Sequence, residues 1–170
     1  AFIKGEVCKE IAQIISHYHR FDIQIENAGS CPSRSEFEII LQDFWRGERG
    51  LSKIYKKKID NAADSIVLMN AYFFPGKTFI RHLKKKAKEG INVKLIVGSQ
   101  SDHAIVNWLT TSLYDGLLEY GIEIYEWEKS MLHAKIAVVD SEWATVGSYN
   151  LDDLSRFSNI ELNLIVNKKE

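Results

Sequence analysis

Between Met131 and Asn150 the chain reads M-L-H-A-K-I-A-V-V-D-S-E-W-A-T-V-G-S-Y-N. His133 and Lys135 stand two apart, Asp140 follows after four residues, and Gly147, Ser148 and Asn150 complete the pattern after six more. Residues 134–140 are β-branched and apolar enough for a buried strand, whose period-2 alternation puts His133 and Lys135 on one face. That face offers an imidazole that titrates near neutrality, able to attack or to move a proton, beside a fixed cation. Gly147 permits a tight or positive-φ backbone, after which the Ser148 hydroxyl and the Asn150 amide can donate to an anion. Nucleophile, cation and neutral donors together suit a phosphoryl group, whose oxygens gain charge as it reacts. Asp140 falls on the opposite face by parity and about 20 Å along an extended strand from His133. It is expected to be structural, pairing with a backbone amide or basic side chain near the turn.

The elements that must position this set are regular from Leu51 onward. Leu51, Ile54, Tyr55 and Ile59 form a helical stripe, and Lys56, Lys57 and Lys58 read as its solvated face. Residues 65–72 read as a buried strand stopped by Pro75 and Gly76, and 77–89 as a helix closed by Gly90. A strand over 91–98 follows, then a helix marked by Val106, Leu109, Leu113 and Leu117 and closed by Gly121, then a strand over 122–127. Strand, helix, glycine, strand thus recurs twice at βαβ spacing, which predicts an α/β fold with a mostly parallel, mixed sheet and helices on its faces. The last strands, around 134–140, 143–148 and 161–167, are too close for crossover helices, and the first two are expected to form an antiparallel hairpin. Ahead of this unit, residues 2–18 read as an amphipathic helix, 21–26 as a half-buried strand, and Ser35 with Glu38 as a capping box opening a helix. In such sheets ligands sit beyond the carboxyl ends of parallel strands, which brings Tyr72 and the segment around Asp102 to the same edge; Asp102 reads as an N-cap.

Composition bounds the partners. At 170 residues with 45% hydrophobic and 26% charged residues, the chain is long enough for one domain with a full core. Its formal net charge of −1 gives no global attraction to nucleic acid or anionic lipid, so any basic binding surface must be local. Cys8 and Cys31 lack metal-ligand spacing and read as reduced and structural, and His17 and His19 read as helix C-terminal cations. Lys4, Glu6, Lys9 and Glu10 interrupt any signal-like apolar start, and no run approaches membrane-spanning length. A start at Ala1 and an end shortly after the last strand are those expected of an excised piece of something longer.

The spacing H-x-K-x4-D-x6-G-S-x-N resembles the signature of the phospholipase D superfamily. Within it, Gly147-Ser148-x-Asn150-Leu151-Asp152 and Asn159-Ile160-Glu161-Leu162-Asn163 resemble the second motif region of bacterial cardiolipin synthases. Asn70-Ala71-Tyr72-Phe73-Phe74-Pro75 is similar to a further stretch of the same enzymes, whereas Asp153 stands where their pattern commonly has proline. The likeness covers residues 51–167 well, 20–50 weakly and 1–19 not at all. It therefore implies an N-terminal helix or linker over 1–19 and a phospholipase D-like αβα sandwich over 20–170.

The resemblance also implies a mechanism. Two histidines face one phosphodiester: one attacks phosphorus to give a phosphohistidine, the other protonates the leaving alcohol, and neither a metal nor another cofactor is required. His133 would act mainly as the acid, Lys135 would hold equatorial oxygens, and Glu161 would partner the histidine. Ser148, Asn150 and Tyr72 would contact substrate. This chain has one such motif, and neither His82 nor His103 stands in a second, so the other histidine must come from another half of the same parent chain or from a homodimer partner. The implied reaction is phosphatidyl transfer between phospholipids and a glycerol-type acceptor, by a bacterial protein peripheral to the cytoplasmic face of a membrane. Two readings stand against it: a single-motif homodimeric phosphodiesterase or nuclease, disfavoured by the near-zero net charge, and an inactive half-domain.

Overall fold

The computed structural model describes residues 37–168, apart from 44, 101–103, 153, 154 and 156. The helix expected over 2–18, the strand over 21–26, both cysteines, His17, His19, Asp102, His103 and Asp153 lie outside the described residues.

Among the described residues ten strands and four helices follow in order. They are β1 (Phe37–Asp43), β2 (Glu48–Arg49), α1 (Gly50–Asp60), β3 (Ser65–Asn70), β4 (Phe73–Phe74), α2 (Lys77–Lys88) and β5 (Asn92–Gly98). After these come α3 (Ala104–Thr111), α4 (Tyr114–Leu118), β6 (Glu123–Trp127), β7 (Lys135–Val139), β8 (Trp143–Gly147), β9 (Leu151–Asp152) and β10 (Ile160–Asn167). Eight strands form one sheet in the order β2-β1-β10-β8-β7-β3-β5-β6, and β4 pairs with β9 in a small second sheet.

The sheet is mixed, as expected, but its parallel share is smaller. Only β3, β5 and β6, the strands joined by α2 and by α3–α4, run parallel within it. Every pairing from β3 through β7, β8, β10 and β1 to β2 is antiparallel. Parallel pairing needs a crossover, and the short connections after β7 leave room only for hairpins. A second difference lies at 37–43, where the capping box predicted a helix and a strand forms. Its Phe-Glu-Ile-Ile-Leu-Gln-Asp run pairs residue for residue with β10 from Phe37↔Val166 to Asp43↔Ile160. That ladder outweighs one local cap signal. A third lies at 112–113, where the helix expected from Val106 to Leu117 breaks in two. Thr111 Oγ1 donates to the Trp108 carbonyl and Ser112 Oγ to the Leu109 carbonyl, side-chain bonds that compete with the helical ladder.

One face of the sheet is buried over its central strands. Alternate residues Ile66 and Leu68, Val93, Leu95 and Val97, and Ala137 and Val139 form a core with Leu51, Tyr55 and Ile59 of α1, Leu83 of α2 and Leu117 of α4. Glycines close the helices as the spacing predicted, Gly90 at φ 89° and Gly121 at φ 77°.

Candidate active site

The strand directions bring the motif to one edge. β3 and β5 end there, β7 and β10 begin there, and β8 ends there, so Asn70 stands opposite Lys135 and Gly147 opposite Asn163. These positions lie on the buried face of the sheet, yet they are polar: Asn70, Lys135, Glu161 and Asn163 are all buried. Burying four polar groups from three strands at one end of an apolar core is costly unless they serve one another or a ligand.

Lys135 is 5% exposed, and its Nζ donates to the His133 carbonyl at 3.1 Å. Burial pulls its pKa down, and the carboxylates of Glu161 and Asp152 act against that by favouring the cation. Among the described residues it forms no direct ion pair, so its charge is held near two carboxylates while its remaining donors stay open. His133 is exposed, just ahead of β7, and its ring makes no hydrogen bond among the described residues. The backbone around it is fixed instead, since Ala71 N donates to the Ala134 carbonyl at 2.9 Å. Glu161, assigned to the histidine by the resemblance, accepts from Asn159 Nδ2 at 3.1 Å and acts electrostatically on Lys135. In this structure it supports the cation rather than the imidazole.

Gly147 is required for a reason other than a positive φ. It is not among the left-handed residues; a Cβ built on it would lie 2.2 Å from the Leu162 carbonyl oxygen and 2.6 Å from Asn163 Cα. Glycine lets β10 pair closely beside β8, with Leu162 and Asn163 in the space a Cβ would fill. Just beyond, Ser148 is held by Leu162 on both sides: its N–H donates to the Leu162 carbonyl at 3.1 Å and its Oγ accepts from Leu162 N at 3.0 Å. The hydroxyl proton therefore remains to donate outward. Tyr149 N then donates to Asn163 Oδ1 at 3.2 Å, and Asn163 Nδ2 donates to Thr145 Oγ1 at 3.0 Å. Next in line, Asn150 has a buried Oδ1 with no hydrogen-bond partner.

Asn70 completes the floor. Its Oδ1 accepts from Leu151 N at 3.0 Å, which ties β3 to the motif turn, while its Nδ2 is buried with no partner. Buried polar atoms without partners are few in a native protein, and two at one edge mark a place a ligand completes. Tyr72 follows β3 at the same edge, partly buried and engaged, whereas Phe73 is fully buried core.

Asn70 and Asp152 were not singled out as site residues from the sequence. A polar residue ending an otherwise apolar strand is the signal that finds Asn70. Nothing local finds Asp152, whose Oδ1 accepts from Ser155 N at 2.7 Å and whose charge reaches Lys135 only through the pairing of β4 with β9. Among the described residues no group of three or more His, Cys, Asp or Glu stands together to hold a metal, and no helix is long and apolar enough to cross a membrane.

Asp140 stands apart at the other end of β7. Its Oδ1 accepts from Asp64 N at 2.8 Å and Ser65 N at 2.9 Å, and its Oδ2 from Ala63 N at 3.0 Å. Burial alone would raise its pKa; the three amides more than offset this and hold it below the usual carboxylate range. It pins the entry of β3 to the β7–β8 turn, where Asp140 and Ser141 take φ of 55° and 54°.

Fold and site together define a phospholipase D-type domain, and solved structures share its shape. Nuc, a phospholipase D family member from Salmonella typhimurium, superimposes with a TM-score of 0.64 at 20% identity, over 78% of this chain and 82% of its own. The phosphatidylserine synthase of Haemophilus influenzae Rd KW20 gives a TM-score of 0.65 at 16% identity, over 95% of this chain and 42% of its own. The chain belongs to the family described as cardiolipin synthase, PLD-like domain, which matches residues 55–170. Cardiolipin synthase B of Escherichia coli (strain K12) is 35% identical over 138 residues, 81% of this chain and 33% of that protein. Cardiolipin synthase 2 of Staphylococcus epidermidis (strain ATCC 12228 / FDA PCI 1200) is 36% identical over 112 residues, 66% of this chain and 23% of that protein. The chain spans no more than about a third of the length of these relatives.

Proposed function

We propose that this chain supplies one half of a phosphodiester-transfer site acting on phospholipids, in the manner of a cardiolipin synthase. The observation that carries it is the polar edge of the sheet. There a buried lysine is balanced by two carboxylates beside an exposed histidine and two buried amide atoms without partners, Asn70 Nδ2 and Asn150 Oδ1, in a chain 35% identical to cardiolipin synthase B over 138 residues. Lys135 Nζ, the Ser148 hydroxyl and Asn70 Nδ2 would donate to the non-bridging phosphoryl oxygens, with Asn150 contacting substrate beside them.

The chemistry needs two imidazoles. One forms a P–N bond as the P–O bond to the leaving alcohol breaks, and the other, His133 in this reading, gives that alcohol its proton. The acceptor alcohol then loses its proton to His133 and attacks phosphorus, which breaks the P–N bond and releases the first imidazole. His82, the other described histidine, pairs with Asp60 on the helical layer, so the second imidazole comes from another half of the protein or from a second copy. Exposed apolar side chains beside the site, Trp45, Trp127, Met131 and Ile160, are surface that such a partner would cover in part.

The test is phosphatidyl transfer from phosphatidylglycerol in mixed micelles, with the complementary motif present. His133→Asn should abolish transfer without unfolding the protein. Full transfer by that variant, or activity that disappears with a chelator, would remove this mechanism. Light scattering separates the two sources of the second histidine: a monomer fits a half-site completed by another part of the protein. A dimer whose His133 side chains meet across a two-fold axis fits the single-motif phosphodiesterase.

A further inference from the structure

The two helices that cover the core carry a charge far from that of the chain. α1 and α2 hold ten of its 22 Lys and Arg with a single acid, Asp60, so the remaining residues carry 12 cations against 22 acids. The helices pack side by side, with Lys53, Lys56, Lys57, Lys77, Arg81, Lys85 and Lys88 exposed and Lys58, Lys84 and Lys86 partly buried. On α2, Lys77, Arg81 and Lys85 recur every four residues and form one exposed ridge; on α1, Lys53 and Lys57 are likewise exposed and four apart. Like charges at that spacing repel and cost helix stability.

Compensation within the protein is partial. Asp60 pairs with Lys56 at 2.8 Å and with His82, and Glu89 pairs with Lys86 at 3.1 Å and Lys85 at 3.6 Å. Lys84 and Lys88 both sit over the Tyr120 ring at 4.7 Å. Lys53, Lys57, Lys77 and Arg81 form no ion pair among the described residues. A merely solvated helix face mixes both signs evenly; this one is strongly biased to cations, with Asp60 and Glu89 the acids paired to it, on a chain of net charge −1.

A mainly apolar pocket opens where α1 meets α2, walled by Tyr55, Ile59, Pro75, Phe79 and Leu151, with Lys56 and His82 from the two helices also lining it. Asp152, whose charge reaches Lys135, also lines it, so the pocket runs toward the polar edge of the sheet. Cations alone would suit any polyanion. Cations flanking an apolar recess beside the site suit an amphiphile, with phosphates on the ridges and a hydrocarbon segment between them.

We propose that the outer face of α1 and α2 docks on an anionic phospholipid bilayer and admits an acyl segment between the helices. The proposal rests on the phospholipid reading above and adds the surface that brings the site to its substrate. The experiment is co-sedimentation of the 170-residue chain with vesicles of phosphatidylcholine alone or with about one third phosphatidylglycerol, a content at which each basic residue contributes about fivefold to partition. The chain should bind the phosphatidylglycerol vesicles, release them at high salt, and bind phosphatidylcholine at least tenfold more weakly. Lys53→Gln, Lys57→Gln, Arg81→Gln and Lys85→Gln should each weaken binding about fivefold, and all four together several hundredfold, with an unchanged melting curve.

Four results would overturn it: no vesicle binding, equal binding to both compositions, binding that the quadruple variant keeps but Trp45→Ala and Trp127→Ala lose, or preferential binding to duplex DNA at the same ionic strength. His133→Asn serves as the internal control. It should lose transfer and keep vesicle binding, so failure of the chemistry and failure of the docking surface give different patterns.

Discussion

The two ends of β7 carry the same motif and treat it in opposite ways. At the Asp140 end each carboxylate oxygen is satisfied, with three backbone amides within 3.0 Å. At the His133 end, five residues of strand away, a buried lysine, two buried amides and an exposed imidazole are left incompletely partnered. Polar groups at the first end hold two loops together, and the fold would be poorer without them. Those at the second are left open at a cost to the fold, which is what the proposed phosphoryl site would require. Satisfaction of hydrogen bonds, more than membership of the motif, separates the residues that build the domain from those that act.

That contrast can be broken at either end, starting with the largest expected effect. His133→Asn should cut transfer by at least about 1,000-fold, the scale of a lost general acid, and move stability by less than about 0.5 kcal/mol because the side chain is exposed. Steady-state assay beside a thermal melt gives both numbers, and a large loss of stability would place His133 among the builders. Gly147→Ala should cost about 3 kcal/mol or more, since the new methyl meets β10 backbone at 2.2 Å. Denaturant unfolding measures it, and a neutral outcome would mean that β8 and β10 are not in this register.

Asp140→Asn should cost about 2 kcal/mol at neutral pH with little change in transfer. Its pH dependence has a defined sign. Asp140 is more acidic folded than unfolded, so its contribution is present above the unfolded value near 4 and is lost as pH falls through the folded value. The difference between wild type and Asp140→Asn should therefore shrink between pH 5 and the acid limit, which urea unfolding across that range reads directly. A gap that widened in acid would contradict the capping role. Ser148→Ala should do least, costing about 1 kcal/mol through the lost bond from Leu162 N and lowering transfer roughly tenfold through the lost donor.

The sequence exposed one end of this contrast better than the other. H-x-K, the glycine turn and the strand-helix-glycine rhythm are local patterns, so the site edge, α1, α2, β5 to β8 and the helix closures were legible. What escaped was set by pairing. Residues 37–43 carry a helix-start signal yet become a strand because β10 is there to receive them. The 104–118 helix breaks because consecutive hydroxyls turn back on their own carbonyls. Gly147 was read as a turn glycine, and only the close approach of its paired strand β10 shows that the missing Cβ is the point. Glu161 and Asp152 stood in the motif stretches, but that both act on Lys135 rests on how β9 and β10 are placed beside β7, which the spacing does not encode.

The central claim is that the open polar groups at the His133 end receive a phosphoryl group. It is tested most directly by titrating the isotopically labelled chain with dimethyl phosphate and following side-chain amide and imidazole resonances. The side-chain NH2 signals of Asn70 and Asn150 and the His133 ring should shift together with one dissociation constant, while the Ala63, Asp64 and Ser65 amides at the Asp140 end stay fixed. Shifts confined to the Asp140 end, or none at Asn70 and Asn150 at saturating phosphodiester, would contradict it.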